Sequence, residues 1–301
     1  MSTSKEKLLL KYFLLIFTLF LAFTDFGLTL LIIAVINIPL IRKTIFGRLV
    51  LDTDKKPWLK VETYEYMTRR FIDIFYPKTK PVKGVVLFAH GGGWISGYRR
   101  QPNNMSWYRF LVSRGFVVAA IGYGRGYIND IEKLVEELIA AIQFLKKTIP
   151  DLAEKISLMG LSAGGHLALL TGLRCTESVE KIIAYYAPCD LMDIWQSDSL
   201  FARFSAMATI KRLPSKSEQV YERYSPVNYV SHNCNKILLV HGMKDSVVPY
   251  MSSVKMFKTL RQYGCKAQLL LHPNGNHGFE FVLKDQKTAE ILEKTVRFLE
   301  E

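Results

Sequence analysis

The stretch 156–170, ISLMGLSAGGHLALL, puts a serine among glycines where an apolar run stops and a small-residue helical run starts. A buried strand that must become a helix within one or two residues leaves the backbone little choice. The residue at the corner is held in strained geometry with its side chain pushed out above the strand ends, and the glycines allow the close backbone approach this needs. The surrounding chain repeats the strand-to-helix rhythm. VETYEYMT and RRFIDIFYP alternate apolar and polar residues as half-buried strands do. GVVLFAH (84–90) and FVVAAIGYG (116–124) read as buried strands, and KISLMG, KIIAYYAP, KILLVHG and KAQLLLHP as further strands. Between them, apolar spacing predicts helices near 104–114, over 131–148 (Ile131, Leu134, Val135, Leu138, Ile139, Ile142 and Leu145), over about 249–263, and from about Lys284 onward. Alternation of this kind predicts an α/β domain, a mostly parallel central sheet flanked by helices. The segment 188–235 breaks the rhythm and is too long for a plain connection, so it is expected to be a cap lying over the carboxyl edge of the sheet.

A serine hydroxyl needs a base. Of six histidines, His277 lies in HPNGNHGFE, after the last predicted strand and before the last helix, where it can reach back over the sheet. His90, His166, His232, His241 and His272 read as hydrogen-bonded structural residues at strand ends, in loops or in the cap. The base needs a carboxylate to hold its tautomer. Asp245 in HGMKDSVVP is preferred and Asp190 is its rival, while Asp193 and Glu280 read as surface groups. HGGGW (90–94) follows the strand 84–89, and its glycines can aim amides at a carbonyl oxygen. Gly92 and Gly93 are the expected oxyanion donors, with Ala163 after the serine. No Lys-Ser/Thr follows to make the glycines a phosphate loop. No metal-ligand spacing appears, and no cofactor is expected.

Two features lie outside this pattern. From Leu8 to Ile41 almost every residue is apolar, interrupted mainly by Lys11, Asp25 and Asn37. About 20 such residues span a bilayer as a helix, so 1–48 is expected to be a membrane anchor, either one long helix or two short ones folded at FTDFG, with 49–301 as the catalytic domain. A cleaved signal peptide and a soluble helical hairpin are the other readings. Basic residues flank both ends of the run, and the four scattered cysteines lean towards a reducing compartment, which favours a cytoplasmic catalytic domain. The net charge of +13 suits an anionic membrane surface. No basic motif with stacking aromatics supports nucleic-acid binding.

HGGGW, GLSAGGHLALL, HGMKDSVVP and GNHGF, in this order, resemble the α/β-hydrolase esterases of the hormone-sensitive-lipase and carboxylesterase-like branch, over roughly Arg69 to Glu301. The resemblance implies the α/β-hydrolase fold, a Ser162–His277–Asp245 triad and an acyl-enzyme. One departure stands out: where members often carry a Tyr-Arg-Leu-Ala-Pro-like segment, this chain has GYGRGYIND. The expected function is a membrane-anchored serine carboxylic-ester hydrolase acting on a small-molecule or lipid ester. The alternatives are a deacetylase of small amides or sugar acetates, a prolyl-oligopeptidase-like peptidase and a catalytically silent membrane scaffold. Substrate, acyl-chain length and oligomeric state stay open.

Overall fold

A computed structural model describes residues 42, 45–52, 56–154 and 156–301. The chain divides after Lys43 into two units, the second of which is Thr44–Glu301. The apolar run expected to anchor the protein lies outside the described residues. Among the described residues, no helix is long and apolar enough to cross a membrane.

One eight-stranded sheet organises the unit, in the order β1-β2-β4-β3-β5-β6-β7-β8. The hairpin β1 (Trp58–Met67) and β2 (Arg70–Pro77) is antiparallel, and β2 meets β4 (Val117–Ile121) antiparallel. From β4 onward, β3 (Val85–Ala89), β5 (Ile156–Leu161), β6 (Val179–Tyr185), β7 (Lys236–Gly242) and β8 (Ala267–His272) all pair parallel. This is the α/β-hydrolase fold with the mostly parallel sheet expected from the sequence. Every residue of β3, β4 and β5 is buried, as it must be when helices cover both faces.

Among the described residues from Pro102 onward, the helices are α1 (Pro102–Ser113), α2 (Ile131–Thr148), α3 (Ala163–Arg174), α4 (Leu200–Ile210), α5 (Glu218–Arg223), α6 (Met251–Gln262), α7 (Phe279–Val282) and α8 (Gln286–Glu300). In α2 the spacing of Ile131, Leu134, Val135, Leu138, Ala141, Ile142 and Leu145 makes one apolar face, and all of them are buried. The Asp130 side chain caps its start, accepting from the Lys133 amide at 2.9 Å, a contact worth about 1 kcal/mol. Trp107 and Phe110 of α1 pack with Tyr185, Leu238 and Val240 of the sheet and Phe298 of α8 in one core. Burial of each such side chain contributes roughly 1.5–3 kcal/mol.

Two features of this frame position the site. After β3 the chain crosses through α1 to β4 on one side; after β4 it returns to the other side of β3 as β5. The carboxyl ends of β3 and β5 therefore flank the point where strand order reverses, the place where open α/β sheets leave a crevice. Between β6 and β7, α4, α5 and several 3₁₀ turns occupy the stretch expected to form a cap. Cys234 and Cys265, the residues before β7 and α6's following strand β8, form a disulfide. Cys175 and Cys189 are free. The cysteines are scattered in sequence, as read, and the parallel neighbours β7 and β8 bring two of them together.

Candidate active site

Ser162 stands between β5 and α3 with φ +52° and ψ −119°. A non-glycine residue in that region carries of order 1–3 kcal/mol of strain. Its neighbours enforce the geometry. The Ser162 amide donates to the Tyr185 carbonyl at 2.8 Å, and its carbonyl accepts from the His166 amide at 2.9 Å. Two glycines of the motif are dictated by contact. A Cβ on Gly160 would stand 2.2 Å from the Gly164 carbonyl oxygen, and one on Gly164 would stand 2.2 Å from the Ala89 carbonyl oxygen. The elbow is therefore pressed onto the end of β3.

His277 reaches Ser162 from the loop after β8. Its Nε2 accepts from the Ser162 hydroxyl at 3.0 Å, and its Nδ1–H donates to Asp245 Oδ2 at 2.8 Å. The Asp245 side chain is fully buried. Its Oδ1 accepts from the amides of Val247 and Val248 at 2.8 and 2.9 Å. Burial opposes ionisation of Asp245, but the charge and hydrogen bonds of His277 and His241 outweigh it and hold the carboxyl well below the usual carboxylate range. The three residues singled out in the sequence thus form one hydrogen-bonded chain.

The other candidates fall elsewhere. Asp190 is ion-paired with Lys255 and caps a 3₁₀ turn, accepting from the Met192 amide at 2.9 Å. His166 is buried, bonded to the Trp94 indole at 3.3 Å and the Tyr224 carbonyl at 2.8 Å. His90 is buried, stacks on Tyr123 at 4.1 Å and bonds the Gly91 carbonyl at 2.7 Å. Burial pushes both imidazoles down to about 4, so they stay neutral and structural. Glu280 corrects its expectation as a surface group: it is fully buried, accepts from the Tyr186 hydroxyl at 2.6 Å, and burial pushes its carboxyl up to about 7. The Tyr186 ring in turn lies 4.5 Å from that of His277.

The glycine loop folds tightly beside the serine. Gly92, Gly93 and Trp94 all have positive φ, at +125°, +59° and +62°. Gly92's carbonyl accepts from the amides of Ile95 and Ser96 at 3.2 and 2.9 Å. A Cβ on Gly91 would lie 3.7 Å from that of Ser162, so the loop borders Ser162. Ala163 opens α3, where helix amides have no partner within the helix and carry partial positive charge. The segment GYGRGYIND, which departs from the expected family pattern, fastens this loop. The Tyr123 hydroxyl donates to the His90 carbonyl at 2.6 Å, Arg125 donates to the Ser96 and Gly97 carbonyls at 2.9 and 2.5 Å, and the Gly126 amide donates to Trp94 at 2.8 Å. Glu137, bonded to Arg70 at 2.8 Å and to the Gly124 amide at 2.6 Å, fixes the segment from below. The cap helix α4 lies against the loop: a Cβ on Gly93 would stand 2.6 Å from Ser205 Oγ and 3.1 Å from the Phe201 ring.

Asn276 joins the Asp245 loop to the His277 loop and was not singled out in the sequence. Its Oδ1 accepts from the Ser246 amide and hydroxyl at 2.9 and 3.0 Å and from the His277 amide at 2.7 Å. Its position immediately before His277 was the available signal.

Known proteins share this arrangement of fold. A protein of Oryza sativa subsp. japonica named "Probable isoprenylcysteine alpha-carbonyl methylesterase ICME" is 29% identical over 242 residues, 73% of this chain and 58% of that protein. The chain thus spans under three fifths of the length of that relative. Among solved structures, a truncated carbohydrate esterase from gut microbiota superposes with a TM-score of 0.72 at 19% identity, covering 83% of this chain and all of that one. Brefeldin A esterase, described as a bacterial homologue of human hormone-sensitive lipase, gives 0.72 at 16% identity, over 91% of this chain and 85% of that one. The BD-FAE family model matches residues 72–260, from β2 through the glycine loop, the Ser162 turn and the Asp245 loop into α6, and over that majority of its length the chain belongs to the BD-FAE family.

Proposed function

We propose that this chain is a serine carboxylic-ester hydrolase held at a membrane by residues 1–48. The observation that carries the reading is the bonded chain from Ser162 Oγ through His277 to Asp245, at 3.0 and 2.8 Å. In this reading His277 Nε2 takes the hydroxyl proton as Oγ attacks the ester carbonyl. Asp245 keeps the proton of the neutral ring on Nδ1 and stabilises the imidazolium. The amides of Gly92, Gly93 and Ala163 receive the negative oxygen of the tetrahedral intermediate. His277 then protonates the departing alkoxide, leaving Ser162 acylated. Water, deprotonated by the same imidazole, releases the acid and restores the hydroxyl. No cofactor enters any step.

The named esterases among its relatives support ester hydrolysis, and the apolar run supports membrane attachment. The name of the rice relative describes a methylesterase of isoprenylcysteine, and a lipophilic carboxylic ester of that kind suits an enzyme tethered beside a bilayer. The Cys234–Cys265 bond is of a kind that persists in oxidising compartments, which removes the cysteine argument for a cytoplasmic domain.

The test is Ser162→Ala, assayed on a short p-nitrophenyl ester and with a fluorophosphonate probe. Turnover is expected to fall by several orders of magnitude, as when a triad nucleophile is lost, and labelling to vanish. Near-parental turnover in the pure variant refutes the assignment.

A further inference from the structure

Asp245 meets two imidazoles. His241 ends β7 just before Gly242, and its ring is fully buried. Its Nε2 lies 3.0 Å from the Val248 carbonyl oxygen and 3.2 Å from Asp245 Oδ2. Both neighbours can only accept, so Nε2 carries a proton. That N–H donates to Val248 and presents its positive edge to Oδ2. On the other side, Nδ1 lies 2.7 Å from the Ser253 hydroxyl of α6. Ser253 is itself fully buried, so this bond fixes which way the ring faces.

The consequences fall on the acid. Val248 donates its amide to Asp245 Oδ1 and receives His241 at its carbonyl. The acid loop is therefore closed by its own carboxylate and pinned to β7 by His241. Oδ2, the oxygen that holds His277, faces a second N–H from behind. We propose that His241 and Ser253 are a positioning pair for Asp245, holding its loop in place and tempering the negative charge that His277 feels. This rests on reading Ser162, His277 and Asp245 as a triad. An apolar residue of similar size could fill the same space, but it would neither pin Val248 nor face Oδ2 with a donor.

The sign of the electrostatic effect follows. Without the N–H behind it, Oδ2 presents more negative charge to His277. The imidazolium is then favoured and the base titrates at higher pH. The other polar groups around the pair are Ser162, Tyr186 against the His277 ring, and Glu280 bonded to Tyr186. All stay the same across the variants, so a difference between pH profiles isolates His241.

The experiment uses the full chain in detergent, with kcat, KM and the pH dependence of kcat/KM measured on a short p-nitrophenyl ester. The variants are Ser253→Ala, His241→Leu and His241→Gln, each alone and with Asp245→Asn. Ser253→Ala removes only a hydroxyl and remains informative if His241→Leu does not fold. His241→Leu is expected to lower kcat about 10- to 100-fold at unchanged KM, the scale of a small misplacement of a catalytic group. Ser253→Ala should lose less. His241→Gln, which keeps a side-chain N–H, should recover part of the loss. The acidic limb of the pH profile should move to higher pH in His241→Leu, the direction expected when a donor facing the carboxylate is removed. In the Asp245→Asn background the same changes should cost under about threefold, because groups acting through one another are not additive. Full losses in that background, with an unmoved acidic limb, overturn this inference alone. A near-parental Asp245→Asn enzyme overturns the triad reading and this inference together.

Discussion

Asp245→Asn should leave a folded protein that barely turns over, and the structure dictates why. Two backbone amides, of Val247 and Val248, donate to Oδ1 at 2.8 and 2.9 Å. An asparagine here must keep its carbonyl oxygen at that position, since turning the NH₂ group there would set donor against donor twice. The amide nitrogen then takes the place of Oδ2, facing His277 Nδ1 from 2.8 Å. It can only donate, so Nδ1 must accept and the neutral ring carries its proton on Nε2. That proton points at Ser162, and the ring no longer serves as a base. Loss of the tautomer costs about 10⁴-fold in turnover, or roughly 5.5 kcal/mol of barrier. The new amide also faces the N–H of His241, 3.2 Å from the present Oδ2, which adds a clash and some lost stability. The assay is kcat/KM on a short p-nitrophenyl ester beside a thermal melt, with Asp190→Asn in parallel. Asp190 is buried and bonded to Lys255 and the Met192 amide rather than to His277, so its variant should lower the melting temperature while kcat/KM stays within about threefold of the parent, as for a site that shares no partner with the catalytic chain. A loss under tenfold in folded Asp245→Asn, or a larger loss in Asp190→Asn, would refute the reasoning.

Gly93→Ala should keep the fold and lose most esterase activity, since φ is +59° and the new methyl would meet Ser205 Oγ at 2.6 Å; a circular-dichroism spectrum and kcat separate the two effects, and full activity would contradict the placement of the loop. Glu280 has a folded pKa raised from 4.5 to about 7. Its contribution to stability is therefore complete below about pH 4.5 and lost as pH rises through about 7, a change of order 3 kcal/mol. Glu280→Gln should flatten urea-melt stability between pH 5 and 8 relative to the parent, and parallel curves would show that the group does not titrate there. Deleting residues 1–48 should release the protein from membranes with its activity on a soluble ester retained, because Leu49 remains to bond Ser106 at 2.8 Å and pack in the core; fractionation and turnover check this, and an aggregated product would make the run part of the folded domain.

The serine turn, the glycine loop and the alternation of strands and helices behind a mostly parallel sheet were legible because each is written locally, whereas the order of the strands in the sheet was not. Ser162 lies in an unbroken strand–turn–helix stretch, and the conformation of HGGGW depends on its own glycines. His277 and Asp245 were legible by position, since each follows a predicted strand that ends at the same edge of the sheet. What was missed is carried by contacts between distant segments. Asn276 reaches Ser246 across 30 residues, and Arg125 reaches Gly97 across 28. His241 looked like an ordinary strand end, as nothing in KILLVHG tells which way the ring turns. Glu280 was misjudged because nothing in HGFEFVLKD tells which way its one glutamate faces, and α7 turns that carboxyl inward to Tyr186. The Cys234–Cys265 bond joins residues 31 apart, and only the adjacency of β7 and β8 brings them together.

The contact between Gly164 and the carbonyls of Ala89 and His90 divides the protein into a part that can vary and a part that cannot. Elbow and glycine loop are locked backbone to backbone, so a change in one is felt in the other, and neither can be reshaped to suit a new substrate without disturbing the chemistry. The cap is different. Helix α4 meets the loop through side chains, Phe201 and Ser205 against Gly93, and belongs to an insertion between β6 and β7 that no strand pairing depends on. Under the proposed reaction, selection for a different ester can therefore act on α4 while Ser162, His277 and the glycine loop stay in register. A library restricted to the exposed and half-buried positions of α4 is the economical route to altering which ester this scaffold accepts.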